Sequence, residues 1–300
     1  MDMRHSGRYR ARMAVLMKDS ASASRPEPCE EELARRVLGG DRAALEQLVG
    51  RLQGDVFGLA LRMLGHREDA EDAAQEILIR IMTRLSRFDF RSRLRTWAYR
   101  IAVNAILDFR KTPWERRKRS FDELGEAILA GLSAEAPAET ERSALIEEVK
   151  SACTLGMLQC LDREHRIAYV LGEIMEVPGP EAASILGIAP ALFRKRLQKA
   201  RAGMLAFLRS HCGLVSDAAP CQCNRQIPAA VRAGLVRIGG SQPPAPPASF
   251  EEIRARVREV EEARRALALY RAAGPAGVSP DFARRLIATL DLRLHQAGHG

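Results

Sequence analysis

Four groups of side chains in this 300-residue sequence could do chemistry, and all four point to recognition rather than bond-making. The first is Asp72, Gln75 and Glu76, whose spacing sets them on one face of a helix. Such a face is solvated surface by default, since charged side chains are rarely buried unpaired; a basic partner is the alternative. The second group lies in Arg87-Phe-Asp-Phe-Arg-Ser-Arg-Leu-Arg-Thr-Trp-Ala-Tyr-Arg100 and continues to Asn104. There Arg93, Arg95, Trp97, Tyr99, Arg100 and Asn104 interleave rings with guanidinium groups. Rings stack on unpaired bases and guanidinium groups grip phosphates, so the pattern suits melted nucleic acid. Trp97, Ile101, Val103 and Ile106 also fit a core, and at least two of them are expected inside. The third group is Arg194, Lys195, Arg196, Lys199 and Arg201, cations that offer phosphate and guanine contacts. The fourth, His211, Cys212, Cys221 and Cys223, crowds four soft ligands into thirteen positions. Zinc or cuprous copper suits such donors, and four complete a tetrahedral zinc site. Their spacing is not the paired Cys-x-x-Cys of zinc ribbons, and redox sensing or inert cysteines in a loop are the other readings.

Helices must position all of these. Ala70, Ala73, Ala74, Ile77, Leu78, Ile81 and Leu85 recur at helical spacing and predict a helix over 69–85 behind the acidic face. Upstream, Leu33, Val37 and Leu38 mark one helix, and Asp41 caps a second that Gly65-His66 closes. Downstream, Ile101 to Lys111 continues as a helix until Pro113 ends it. A short helix is expected around 124–132 within an acidic, Ala/Pro-rich stretch. Leu145, Val149, Cys153, Met157 and Cys160 then line one helix, with the cysteines as small hydrophobes. Ile167, Val170, Leu171 and Ile174 line the next, with His165 on its exposed side. After Pro178-Gly-Pro180 come a short helix over 181–186, the turn Gly187-Ile188, and a basic helix from Pro190 with Leu192, Leu197 and Leu205 inward. Short helix, glycine turn and basic helix make a helix-turn-helix pattern, whose second helix would enter the major groove. A basic helix within a bundle is the alternative that pattern alone leaves open.

A net charge of +9 favours a polyanionic partner, and 46% hydrophobic residues suffice for helical cores, so an all-α fold is expected. No apolar run approaches the roughly 20 residues that span a bilayer, so no membrane partner is expected. Six cysteines without a secretion signal point to a reduced, cytoplasmic setting. There is no Gly-rich phosphate loop, no Ser/His/Asp order and no carboxylate pair outside solvated helix faces, so no enzyme is expected.

Three submotifs in order carry a family resemblance: Asp72-x-x-Gln75-Glu76, then Thr96-Trp97-Ala-Tyr99-Arg100-Ile101-Ala102-Val-Asn104, then Asp108-x-Arg110-Lys111. They resemble conserved domain two of the bacterial sigma-70 family, in its short extracytoplasmic-function (ECF) group. The resemblance implies that Asp72, Gln75 and Glu76 dock on core RNA polymerase, and that Arg93, Arg95, Trp97, Tyr99, Arg100 and Asn104 capture melted promoter DNA. Residues 144–209 resemble the family's domain four, which implies that Arg194, Lys195, Arg196, Lys199 and Arg201 read duplex promoter DNA upstream. Leu94 stands where a phenylalanine is common, and Ala191-Leu192 where small polar residues open the recognition helix.

The expected layout is a disordered basic leader over 1–29, domain two over 30–112, a flexible linker over 113–143 and domain four over 144–209. A cysteine-containing segment over 210–238, a Pro/Gly linker over 239–249 and a helical hairpin over 250–297 follow. Some family members carry cysteine-bearing extensions that sense metals or regulate activity in cis, and this tail looks like one. The function implied is promoter-directed initiation with core polymerase, tuned through the extension by metal or redox, with an anti-sigma protein as a further partner. A helix-turn-helix regulator that never touches polymerase is the competing class.

Overall fold

A computed structural model describes residues 28–109, 120–133, 139–236 and Phe282. The expected leader up to residue 27, the Pro/Gly linker and, Phe282 apart, the C-terminal hairpin lie outside the described residues. Among the described residues the chain is all-α.

The first module begins with α1 (Glu30–Leu38), whose first turn carries Glu30, Glu31 and Glu32 at the positive end of the helix dipole. Asp41 caps α2 (Arg42–Leu64) as expected, accepting from the Ala44 amide at 3.1 Å and from the Arg36 guanidinium at 2.9 Å. Gly65 closes α2 in the left-handed region at φ 75°, where a side chain would be strained. The acidic-face helix, α3 (Arg67–Thr83), starts and stops two residues earlier than its apolar pattern suggests. Leu85, expected as its last apolar position, is buried instead in a 3₁₀ turn, Leu85–Arg87. α4 (Leu94–Asp108) places Thr96, Trp97, Tyr99 and Arg100 on a helix rather than in the loop before it. Val103 and Ile106 are buried, while Trp97 and Ile101 are half-buried.

The expected short helix is present as α5 (Phe121–Ala130), closed at its start by a Ser120/Glu123 capping box. Phe121 rests on Phe207 with ring centroids 5.3 Å apart, and Leu124 is buried. Part of the stretch expected to be flexible is therefore a docked helix. Its polar composition hid two apolar anchors.

The second module contains α6 (Glu139–Cys160), α7 (Arg163–Tyr169), α8 (Gly179–Leu186) and α9 (Pro190–His211). α7 widens into a π turn over Val170–Ile174. Gly172 lies in this turn beneath α9, and a Cβ there would come within 2.9 Å of Leu197 Cδ2. Two expectations fail locally. His165 is half-buried, held 2.6 Å from Asp162 Oδ1 at the helix cap. Leu192 is 40% exposed, because the register set by Pro190 turns Phe193, Leu197, Ala200, Met204 and Leu208 inward instead.

Beyond α9 the chain turns back, and Cys212 and Cys221 pair as an isolated parallel bridge. α10 (Cys223–Arg232) follows, within the stretch expected as a cysteine-containing segment, and lies against α6. Ile227 and Ala230 are buried there, whereas Leu235, just past the helix end, is 51% exposed. The buried residues of both modules form one continuous core, which also takes in Phe282.

Candidate nucleic-acid and polymerase interface

α3 shows its polar face outward: Asp72 and Glu76 are exposed and Gln75 is half-buried. Arg80, one turn on, binds Glu76, and Arg67 pairs with Glu71 at 3.1 Å. No hydrogen bond or ion pair ties Asp72 to another described residue, which leaves a carboxylate available to a basic partner.

α4 is positioned by three acids from α1 and α2. The Leu94 amide donates to Glu31 Oε1 at 2.9 Å, so α1 caps α4 where Arg93 offers no side-chain cap. That amide holds the Glu31 carboxyl below the usual carboxylate range. Arg95 donates to both Glu30 oxygens and to Asp55, which keeps its guanidinium firmly charged. The Tyr99 hydroxyl donates to Asp55 at 2.8 Å, and burial, followed by the Asp55 charge, pushes its pKa up. Arg95 and Tyr99, both expected on nucleic acid, thus face the protein.

What faces out is narrower. Arg93, Arg100 and Asn104 are exposed, and Trp97 is half-buried with one ring contact inward, 5.4 Å from Phe88. Phe88 meets Phe90 at 4.6 Å, and the Arg35 guanidinium lies 4.6 Å above the Phe90 ring. Phe90 has φ 57°, a strained conformation for a bulky residue, so the loop stores backbone strain to hold this aromatic cluster. Phe88, Phe90, Glu30, Glu31 and Asp55 escaped the sequence reading. The aromatics were visible in composition, but the acids lie 40 or more positions from their partners.

In the helix-turn-helix, Gly187 makes the turn at φ 65° and α9 presents Arg194, Lys195 and Lys199 to solvent. Arg196 is half-buried and donates to Glu164 at 2.7 Å. Arg201, exposed as a residue, pairs with the buried carboxylate of Glu173. Three of the five expected cations are therefore poised outward, and two are already neutralised within the module.

The four expected metal ligands do not assemble. The His211 ring stacks on Phe207 at 4.6 Å, its Nδ1 is 3.1 Å from the Phe207 carbonyl oxygen, and its Nε2 abuts Gly125. Among the described residues, no three His, Cys, Asp or Glu side chains are arranged to hold a metal ion. Thiols do gather: burial first, then proximity to Cys212, Cys221, Cys223 and Cys160, raises the Cys153 pKa. Burial and the neighbouring Cys212 push Cys221 up to about 12, and Cys223 rises for the same reasons with Cys221 added. Protonated, buried thiols are poor nucleophiles.

Residues 48–116, from α2 through α4, match the family described as Sigma-70 region 2. The chain is similar to the RNA polymerase sigma factor CnrH of Cupriavidus metallidurans, 33% identical over 190 residues that cover 61% of this chain and 96% of that protein. It is also similar to the RNA polymerase sigma factor NccH of Alcaligenes xylosoxydans xylosoxydans, at 34% over 184 residues covering 60% and 95%. A third relative is the ECF RNA polymerase sigma factor SigW of Bacillus subtilis, at 28% over 183 residues covering 58% and 94%. Among solved structures, CnrH in complex with the cytosolic domain of CnrY aligns with TM-score 0.42 and 26% identity, covering 59% of this chain and 94% of that one.

Proposed function

We propose a mode of action from one premise: the chain belongs to the sigma-70 family of RNA polymerase sigma factors, in its extracytoplasmic-function group. It binds core RNA polymerase and directs it to promoters. In the proposed division of labour, residues 30–112 act as domain two and residues 144–209 as domain four. Asp72, Gln75 and Glu76 on α3 meet basic helices of the polymerase. Arg93, Trp97, Arg100 and Asn104 on α4 take the melted strand, with Phe88 and Phe90 extending the stacking surface. Arg95 and Tyr99 serve the same site from behind, by fixing α4 on Asp55. On duplex DNA, Arg194, Lys195 and Lys199 contact directly, and Arg196 and Arg201 do so once Glu164 and Glu173 release them. No bond is made or broken by this chain; the polymerase does the chemistry.

The observation that carries this reading is the juxtaposition on packed helices of a carboxylate that no other described residue pairs, Asp72, with an outward edge of ring and guanidinium, Trp97 and Arg100. A duplex-binding regulator that works without polymerase would leave both surfaces without a role. Pull-down with core polymerase, followed by run-off transcription, tests it. Loss of polymerase binding after reversal of Asp72 and Glu76 is the expected result, and unaltered binding refutes the docking assignment.

Regulation is assigned to the cysteine-bearing extension, through thiol chemistry with zinc, cuprous copper or an oxidant. What supports it is the gathering of Cys153, Cys212, Cys221 and Cys223. His211 does not fit as a ligand, so no step is routed through a metal. Metal content of the full chain, wild type against Cys221→Ser with Cys223→Ser, tests the metal version, and near-zero content in both refutes it. A response to peroxide that the double variant leaves unchanged refutes the redox version. A protein partner that masks the same surfaces is also proposed; CnrH itself has been seen with the cytosolic domain of CnrY.

A further inference from the structure

The outward edge of α4 is not bare. The Thr96 hydroxyl donates to the Glu181 carboxylate, and Arg100 Nη2 donates to Ser184 Oγ at 2.9 Å. Both acceptors sit on α8, the first helix of the helix-turn-helix, which lies along α4. The same seam continues at the far end of α4, where Arg163 Nη1 donates to the Leu107 and Phe109 carbonyls at 3.1 and 3.0 Å. At the end of α2, the buried Arg166 guanidinium donates to the Met63 carbonyl and the Gln159 amide to the Arg62 carbonyl at 3.2 Å. The carbonyls at these two helix ends have no intrahelical partner, so the seam satisfies groups that would otherwise need water.

We infer that the chain alone closes on itself, with α8 of the helix-turn-helix module occupying the α4 edge that would hold melted DNA. This rests on the reading of α4 given above. The chemistry is substitution in kind. A carboxylate and a hydroxyl oxygen take the Thr96 hydroxyl and the Arg100 guanidinium, the two groups a phosphodiester would otherwise engage. Melted DNA and α8 therefore compete for one surface, and the two DNA-reading modules cannot both be engaged until α8 leaves α4.

The extension holds this arrangement from the other side. Arg225 and Ser133 exchange backbone and side-chain hydrogen bonds at 3.0 Å, and the Gln226 amide donates to the Ile128 carbonyl at 2.6 Å. α10 thereby ties the end of the linker helix α5 to α6, while Phe121 pins its start to α9. With α5 clamped to the second module, the connection that would let the modules part is shortened. Changes in the extension reach α4 by freeing α5.

The test uses the full chain carrying Glu181→Ala with Ser184→Ala, both on the surface of a short helix and neither essential to its core. Hydrogen exchange reads the seam and affinity for a single-stranded DNA 12-mer reads the occluded surface. Loss of two hydrogen bonds should speed exchange in α4 and α8 by roughly tenfold and tighten DNA binding by a similar factor. A second variant, Gln226→Ala, should give the same direction with a smaller change. Unchanged exchange in α4 and α8 overturns the closed state. Faster exchange without tighter DNA binding overturns the occlusion, while the assignment of α4 to melted DNA is tested apart by Trp97→Ala with Arg100→Ala added to the open variant, where unchanged affinity for the 12-mer would overturn that assignment instead. If α8 opens in both variants and DNA binding improves in both, the inference stands.

Discussion

Asp55 sets the position of the whole promoter-facing helix, and removing its carboxylate has a cost that can be worked out. It lies on α2 and accepts from two α4 groups, the Tyr99 hydroxyl at 2.8 Å and the Arg95 guanidinium. Tyr99 is 7% exposed, so Asp55→Ala strands a buried donor, at about 1–3 kcal/mol. The Arg95 side chain is 43% exposed and keeps Glu30, so its share is only ~0–1 kcal/mol. The two shares sum to about 1–4 kcal/mol. Asp55→Asn keeps an acceptor for the hydroxyl and should lose no more than about 1 kcal/mol. The chain has two tryptophans, so a Trp114→Phe background leaves Trp97, on α4 itself, as the fluorescent reporter of urea unfolding. The midpoint should fall for Asp55→Ala with little change in slope. Equal losses for Ala and Asn, or an Ala loss within about 0.5 kcal/mol of wild type, refute the claim that the hydroxyl bond holds α4.

Four shorter predictions accompany it. Asp72→Arg with Glu76→Arg should weaken core-polymerase binding by roughly tenfold or more while circular dichroism shows unchanged helix content. Lys199→Ala should lower the slope of log affinity against log salt for promoter duplex by about one and weaken all sequences alike, whereas Arg196→Ala should cost about 1–3 kcal/mol on the specific site. Gly187→Ala meets no neighbour within 4 Å, so its cost is conformational only, at about 1–2 kcal/mol by thermal unfolding of the helix-turn-helix. Cys221 titrates near 12 when folded against an ordinary 9.0, so the unfolded chain loses its proton first. Stability from this group is intact below pH 9.0 and declines as pH rises toward 12, and Cys221→Ala should flatten that decline in urea midpoints taken across the range.

Periodicity made most of the helices legible, because each buries one stripe: Ala73, Ile77 and Ile81 on α3, or Leu145 and Val149 on α6. Caps were legible too, where they are local, as with Asp41. Leu192 was misjudged since a stripe of leucines does not reveal which register Pro190 selects, and Phe193 is the larger group to bury. Of the expected site residues, Asp72, Arg93, Arg100, Asn104, Arg194, Lys195 and Lys199 are exposed, as their charged and polar types imply. Arg95 and Tyr99 were read by type alone, and their types are right for nucleic acid. Asp55 and Glu30, which claim them instead, sit on other helices, and no local pattern announces such pairings. His211 is a similar case: its ring stacks on Phe207, one turn back on its own helix, and among the described residues it joins no group of three that could hold a metal ion. The seam between α4 and α8 joins residues 85 positions apart and could not be read at all.

Joint recognition of polymerase and opened promoter can be read in one titration. Full-length protein is added to core RNA polymerase in the presence of a promoter fragment held as closed duplex or with its start-site segment unpaired. A stable complex that prefers the unpaired fragment is expected, with the preference lost in Trp97→Ala with Arg100→Ala and the polymerase affinity kept. Equal affinity for both fragments, or no complex with polymerase, would contradict it.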